Sequence, residues 1–442
     1  MKYASSTIKL FMCSFICCFT SVSSMADTSF LDVYRQAKEY DTDLALAELA
    51  LEGARAERDL AMSKILPQMT LFGQWSDNTV RYERGSSLTD LDYPGQRYGV
   101  SVRQPLLNVS NGLEALRMRT RYKVVEVQRD IAEVQMFSAL MAAFLDVLSA
   151  DSEVLQLESE LKALNARLVE VEALHKVRLS AFTEVLEARA RTESVKADLI
   201  RANGTAAVAR ETISLFTGKR GFEPLPVVAN IPLMIRYETA NAAAETAISN
   251  SVMLELASFE VTAARQGLDR ERARWIPEVD LTYTYQHSDV GFDNLRSPAR
   301  DTSSIAIGFN YPLFEGGGGR ARIKGSRAEL GSAQAKLESV RRDVQVTARA
   351  AWLNLQAATE QIVAAKEALS AATASVEAVR NVLSTGGATT SDFLAALAAE
   401  TEARRRLNSA NFSYALGWVE LELYTGANPA QLATVVSRAL HP

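Results

Sequence analysis

The sequence contains few of the residues that catalytic and metal sites need. It has three histidines, and its three cysteines all lie before residue 19. No nucleophile–base pair and no cluster of carboxylates can be assembled from a local motif. The glycine run at 316–319 is not followed by the Gly-Lys-Ser/Thr of a phosphate-binding loop. The sequence therefore predicts no enzyme, no metal site and no cofactor.

Two acidic residues are distinguished by their spacing rather than by a motif. Glu184 and Asp392 lie 392 − 184 = 208 residues apart, and each follows a short turn at the start of a helical segment. An acid in the first turn stabilises any helix start, which is the simplest interpretation of both residues.

The same offset recurs along the chain and indicates an internal duplication. Matching segments, in chain order, are Ile65–Pro67 with Trp275–Pro277, Gln104–Leu107 with Tyr311–Phe314, Ala142–Asp146 with Ala350–Asn354, Thr183–Leu186 with Ser391–Leu394, and Ser214–Gly218 with Glu422–Gly426. The order and the nearly constant spacing predict two structural repeats, at 27–218 and 239–426. A connector at 219–238 joins them, and a C-terminal tail at 427–442 follows.

Each repeat contains a helix and then a pair of segments that alternate with period two. The pairs lie at about 68–82 and 96–106, and at about 278–290 and 303–313. Such alternation over about ten residues, with aromatic residues near the ends, is typical of membrane β-barrel strands, although half-buried soluble strands share it. On the barrel interpretation the lipid-facing residues are Val279, Leu281, Tyr283, Tyr285, Ile305, Ile307, Phe309, Val100 and Val102.

Very long helices follow the strand pairs, at 111–179 and 317–384. Small and apolar residues recur there in steps of three and four, which is the pattern of a coiled coil with a stutter. Nearly 70 residues at 1.5 Å per residue span about 100 Å, so each helix needs partners along its length. Helices at 183–217 and 390–425 run back. His175 lies on the coiled-coil seam, where a packed or hydrogen-bonded histidine is favoured over a metal ligand.

The first 26 residues have the features of a secretory signal peptide. Lys2 and Lys9 precede an apolar stretch, and small residues at Ser24 and Ala26 suit cleavage after Ala26. About ten apolar residues are too few for a membrane anchor, and no small residue precedes a cysteine as lipoprotein processing requires. The mature chain would carry a net charge of 46 − 53 = −7. That balance does not favour a nucleic-acid partner.

Four strands per chain cannot close a barrel, and an open sheet edge cannot face lipid. Three copies would supply twelve strands, an even number within the usual range for membrane barrels. The predicted fold class is therefore a mixed α+β membrane protein. A trimeric 12-stranded β-barrel would continue into a long α-helical coiled-coil tunnel.

Several segments resemble the TolC-like family of outer-membrane efflux and secretion proteins. They are Phe30–Ala37, Leu66–Gln68, Tyr98–Leu107 and Tyr311–Gly317, and the resemblance covers essentially the whole mature chain. It implies a homotrimer in the lipid of the bacterial outer membrane, with a tunnel that extends into the periplasm. It also implies docking on a periplasmic membrane-fusion adaptor and on an inner-membrane ABC transporter or proton-driven pump.

The resemblance assigns a role to the two acids. In the family, aspartates of the second repeat narrow the periplasmic end of the tunnel, just after the helix turns. Asp392 matches the first of the usual acidic pair, but Ala395 occupies the second position. Ala388 replaces a basic residue that often latches the tip. The expected periplasmic pore constriction therefore has a thinner acidic ring at Asp392, with Glu184 at the corresponding place in the first repeat.

Type I secretion is favoured over multidrug efflux because the opening segment and the non-lipidated N-terminus look more like the secretion branch. A tripartite multidrug efflux pump is the alternative within the transport class. A non-transport coiled-coil protein of the cell envelope is the alternative in a different class. The alternating strand pairs argue against that alternative, because a structural spacer needs no lipid-facing strands.

Overall fold

A computed structural model describes residues 29–84, 87–219, 221–222, 234–290 and 295–440. The signal peptide expected at 1–26 and part of the connector expected at 219–238 lie outside the described residues.

The same order of elements occurs twice within the described ranges. The first half contains α1 (Phe30–Tyr40), α2 (Thr42–Ser63), β1 (Gln68–Arg84), β2 (Ser87–Leu107), α3 (Val109–Lys176) and α4 (Phe182–Thr217). The second half contains α5 (Ala240–Asn250), α6 (Val252–Ala273), β3 (Glu278–Val290), β4 (Arg296–Asn310), α7 (Gly318–Ser384) and α8 (Thr390–Tyr424). The last element is α9 (Pro429–Leu440).

Two helices, rather than one, precede each strand pair. Asp41 separates α1 from α2, and its side chain accepts a hydrogen bond from the Leu44 amide at 2.8 Å. Ser251 separates α5 from α6 and caps the Leu254 amide in the same way. A short polar side chain that satisfies the first free amides starts a helix even where composition is helical on both sides.

The four strands form one antiparallel sheet in the order β1-β2-β3-β4, so β1 and β4 are its edges. The predicted bounds of two strands, β2 and β4, were wrong. β2 begins at Ser87 rather than near 96, and it includes Pro94, which pairs opposite Asp77. β4 spans Arg296–Asn310 rather than 303–313. Polar residues and prolines interrupt the alternation at these ends, whereas pairing with a neighbouring strand extends the ladder through them.

The long helices form two antiparallel hairpins, α3 with α4 and α7 with α8. The main core lies about halfway along α3, where α1 packs on it. There Phe30 contacts Phe137 and Phe144 with ring centroids 5.6 and 5.2 Å apart, in edge-to-face geometry. One window of α3 is long and apolar enough to cross a membrane, but half of it is buried inside the protein. This core accounts for the apolarity of that window.

The C-terminal tail expected at 427–442 contains one helix, α9. Helix α9 packs into the main core through Leu432, Val436 and Leu440, each at most 4% exposed. These residues recur at a spacing of four along the helix, which places them on one face. The C-terminal segment therefore covers the middle of the molecule.

Shorter helices stack end to end beside the long ones. Helix α4 ends at Gly218, whose φ of 66° is left-handed and whose position abuts the Tyr40 ring at the end of α1. Helix α8 ends beside Asn250, whose Nδ2 donates to the Thr425 carbonyl at 3.2 Å. Near the sheet the neighbouring helices form a row in the order α2, α3, α6 and α7. Toward the hairpin tips α4 takes the place of α2 and α8 takes the place of α6.

Candidate functional site

The register of the sheet places all nine predicted lipid-facing residues on one face. Val100 pairs with Tyr285 and Val102 pairs with Tyr283 across β2 and β3. Across β3 and β4 the same face continues through the pairs Val279–Phe309, Leu281–Ile307 and Tyr283–Ile305. Directly paired residues point to the same side of a sheet, so this face is apolar across three strands.

The apolar face is also exposed in the single chain. Ile305, Ile307 and Phe309 are 74%, 70% and 79% exposed. A soluble protein rarely leaves a contiguous apolar face of this kind uncovered.

Strand β1 extends the same face with Met69 and Leu71, which are outside the predicted lipid-facing set. Met69 pairs with Val102 and Leu71 pairs with Val100. Trp75 lies further along on the same side and is 75% exposed. The alternation in β1 is hidden because Phe72 points to the opposite face. Pairing with the cleanly alternating β2 would have been the signal that places it.

Where all four strands pair, the opposite face of the sheet carries polar or small residues apart from Phe72. Ser101 lies 3.5 Å from Thr284 across β2 and β3, and Arg103 pairs with Asp280 at 2.5 Å. Gly99 lies so close to β3 that an added Cβ would overlap the Tyr285 carbonyl oxygen. Hydroxyl groups, ion pairs and glycine on one face, with aliphatic and aromatic residues on the other, is the division expected between a water-filled lumen and lipid.

At the far end of the helices, Asp392 occupies the third position of α8 and completes a capping box with Thr389. The Thr389 amide and hydroxyl donate to its carboxylate at 2.9 and 2.7 Å, and the Thr389 Oγ1 accepts from the Asp392 amide. The backbone hydrogen bond from Thr389 holds the pKa of Asp392 below its usual range. The helix-start interpretation of Asp392 is therefore confirmed, and its carboxylate remains exposed.

Glu184 has a different environment, although it occupies the matching position in α4. Its carboxylate accepts from the Ser180 hydroxyl at 3.1 Å and from the Thr390 hydroxyl at 2.7 Å. Thr390 is fully buried and also receives a hydrogen bond from Arg167 at 2.9 Å. Glu184 thus joins the two hairpins within one chain, through Thr390, which lies two residues before Asp392.

His175 is hydrogen-bonded and packed, as predicted. Its Nδ1 lies 3.0 Å from the Ser180 carbonyl oxygen, and its ring packs against Phe182 with centroids 5.5 Å apart. Among the residues that the structure describes, no group of three or more His, Cys, Asp and Glu could hold a metal ion.

The sequence profile of the family described as "Outer membrane efflux protein" matches residues 33–219 and 243–427, most of the chain and both halves of the fold. The chain belongs to the outer membrane efflux protein family. Members of this family are outer-membrane channels and not enzymes, so the protein lies in the outer membrane and extends into the periplasm.

Individual relatives agree with the family. The chain is 24% identical over 305 residues to the alkaline protease secretion protein AprF of Pseudomonas aeruginosa, an alignment that spans 65% of this chain and 61% of AprF. The CusC channel superposes with a TM-score of 0.80 at 17% identity, covering 91% of this chain and 93% of CusC. The outer membrane protein VceC of Vibrio cholerae gives 0.78 at 17% identity, covering 90% and 96%. The fold of the chain is thus that of the TolC-like channels, mostly helical with one four-stranded sheet.

Proposed function

We propose that the protein is a homotrimeric outer-membrane duct that exports proteins as part of a tripartite type I secretion system. One observation carries the transport function: an apolar face runs across all four strands and ends at two edges, β1 and β4. Each edge strand pairs with one strand only among the described residues. Unpaired backbone groups cannot remain in lipid, so the edges must close on other copies of the chain. Three copies give a barrel of twelve strands.

The helices support the same closure. Helices α2, α3, α6 and α7 pack in that order, so α2 and α7 are the edges of the row. Helix α2 exposes Leu46, Leu49 and Leu60. In the proposed trimer, α7 of one protomer packs against α2 of the next. Twelve helices then continue below twelve strands and enclose a tunnel.

The pore constriction is proposed at the hairpin tips. Asp392 has an exposed carboxylate that the capping box keeps ionised, and three copies around the axis would form an acidic ring. Glu184 is bonded to Thr390 within its own chain, so it contributes to the ring by fixing the start of α8.

Protein export is favoured by the similarity to AprF, a protease secretion protein. The proposed partners are a periplasmic membrane-fusion adaptor and an inner-membrane ABC transporter. The description of the family as efflux proteins favours a second candidate, the outer-membrane component of a multidrug pump with a proton-driven transporter.

The two candidates are separated by expressing the chain in a bacterium that lacks its own outer-membrane duct. With the cognate ABC transporter and adaptor, we expect a C-terminally signalled protein to reach the culture medium. With a drug pump and its adaptor, we expect no gain in drug resistance. Restored drug resistance without protein export would favour the multidrug pump over type I secretion. Correct membrane insertion with neither protein export nor drug resistance would overturn the proposed function.

A further inference from the structure

A cleft lies where the end of α8 meets the start of α6, and its lining residues are of the types found in ligand sites. It has a volume of about 530 Å³ and lies between α3 and α7, with the start of α6 and the end of α8 at its margins. Its walls are largely apolar, with Ile131, Val134, Val340, Val344 and Leu423 among the lining residues. This volume lies within the range of sites that bind small organic molecules.

Two carboxylates line this apolar cleft without a cation. Glu420 enters from α8 and Asp343 enters from α7, and the lining contains no lysine, arginine or histidine. Within the described part of the chain, no basic side chain forms an ion pair with either residue. Burial raises the pKa of Glu420, the shift expected of a half-buried carboxylate that lacks a positive partner.

The architecture of the repeat does not require these acids. The residues 208 positions earlier, at the corresponding places of the first repeat, are Gln135 and Thr212. Thr212 donates to the Val208 carbonyl of its own helix at 3.1 Å. The residues at both equivalent positions of the first repeat are therefore neutral, and the negative charge is particular to the second.

We propose that this cleft binds an amphipathic organic cation, with its apolar body between α3 and α7 and its positive group near Glu420 and Asp343. The Tyr424 ring, which also lines the cleft, offers a further favourable surface to the cation. The site lies within one chain, so it does not depend on the proposed secretion function. It would give the wall of the duct affinity for a class of small molecule that is distinct from a protein cargo.

The direct test is equilibrium binding of tetraphenylphosphonium to the purified full-length mature protein in nonionic detergent, with free cation measured by a selective electrode. Saturable binding of one cation per chain, above a detergent-only blank, is expected. Glu420→Gln should raise the dissociation constant about tenfold, the effect of one opposite charge roughly 6 Å away at an effective dielectric constant of about 40. Asp343→Asn, at a more exposed position, should raise it about threefold.

Matched controls separate a site from general electrostatics. Glu402→Gln removes a charge from the same helix at a residue already paired with Arg406, and it should leave binding unchanged. Neutral triphenylphosphine oxide should bind the native protein more weakly, with no response to Glu420→Gln. If Glu420→Gln does not assemble, Asp343→Asn decides alone.

Equal binding to native protein and the decisive variant, or no saturable binding above the blank, would overturn the site. The second result is also expected if a basic side chain of a neighbouring protomer fills the cleft. Failure of the proposed duct would be recognised separately, by loss of trimers or of protein export.

Discussion

At the scale of single residues, the neighbours of a carboxylate, rather than its position on a helix, decide its role. Asp392 and Glu184 occupy equivalent places in the two repeats, yet one carboxylate is exposed and the other is bonded to Thr390. The difference arises because Thr390 of α8 donates to Glu184 of α4. Removing the charge of Asp392 therefore tests the pore with little effect on packing between the hairpins.

Asp392→Asn is expected to weaken cation selectivity and block by multivalent cations, while trimers still form. Three carboxylates around a narrow lumen repel one another, and cations relieve that repulsion. Single-channel recording in planar bilayers measures both properties. Asn retains a side-chain oxygen for the helix cap, so α8 should start normally. Unchanged selectivity and unchanged block would restrict Asp392 to its capping role.

The orientation of β4 is tested at two adjacent residues. Ile307 lies on the apolar face opposite Leu281, and Ala306 lies on the polar face opposite Thr282. Ile307→Arg should cost about 2–4 kcal/mol if the residue lies at the bilayer midplane, and it should impair insertion into the outer membrane. Ala306→Arg should enter the lumen with a milder effect. Equal losses in membrane fractions for the two variants would contradict the assignment of faces.

At the scale of elements, the sheet depends on close approach between β2 and β3. An added Cβ at Gly99 would overlap the Tyr285 carbonyl oxygen and crowd the Phe72 ring. Gly308 lies on the same polar face in β4, where an added Cβ meets nothing within 4 Å. The two glycines therefore form a matched pair for substitution.

Gly99→Ala should destabilise the barrel by about 1–3 kcal/mol, because the methyl group can be accommodated only by shifting a strand. Gly308→Ala should have little effect. The temperature at which unboiled trimers dissociate on a denaturing gel measures the difference. Identical dissociation temperatures for both variants would show that β2 and β3 are spaced more widely than described.

At the scale of the whole molecule, the chain has the surfaces of a part rather than of a complete unit. The apolar sheet face, the two strand edges and the exposed leucines of α2 all need partners. We expect detergent-extracted protein to have three times the mass of the mature chain by light scattering, with mostly helical circular dichroism and a minor β component. A stable monomer in detergent-free solution would refute the trimer and the barrel together.

Much of this architecture was predicted from sequence because periodicity records which faces are buried. The heptad steps of α3 and α7 and the alternation of β3 and β4 each extend over many residues, so single exceptions do not hide them. The duplication strengthened both signals, since each repeat could be compared with the other. The predicted lipid-facing residues of β2, β3 and β4 were derived from that alternation, and the register places them on one face.

The tertiary structure was needed to define the features where periodicity is weak and the features where segments distant in sequence meet. The strand ends at Ser87 and Arg296 depend on pairing with a neighbour, which local composition does not record. The packing of α9 into the main core and the hydrogen bond between Glu184 and Thr390 join residues far apart in sequence. The charged cleft between α3 and α7 exists because α8 and α6 stop end to end beside it. Such features cannot be derived from local sequence, because a side chain acquires neighbours from other elements only when those elements pack together.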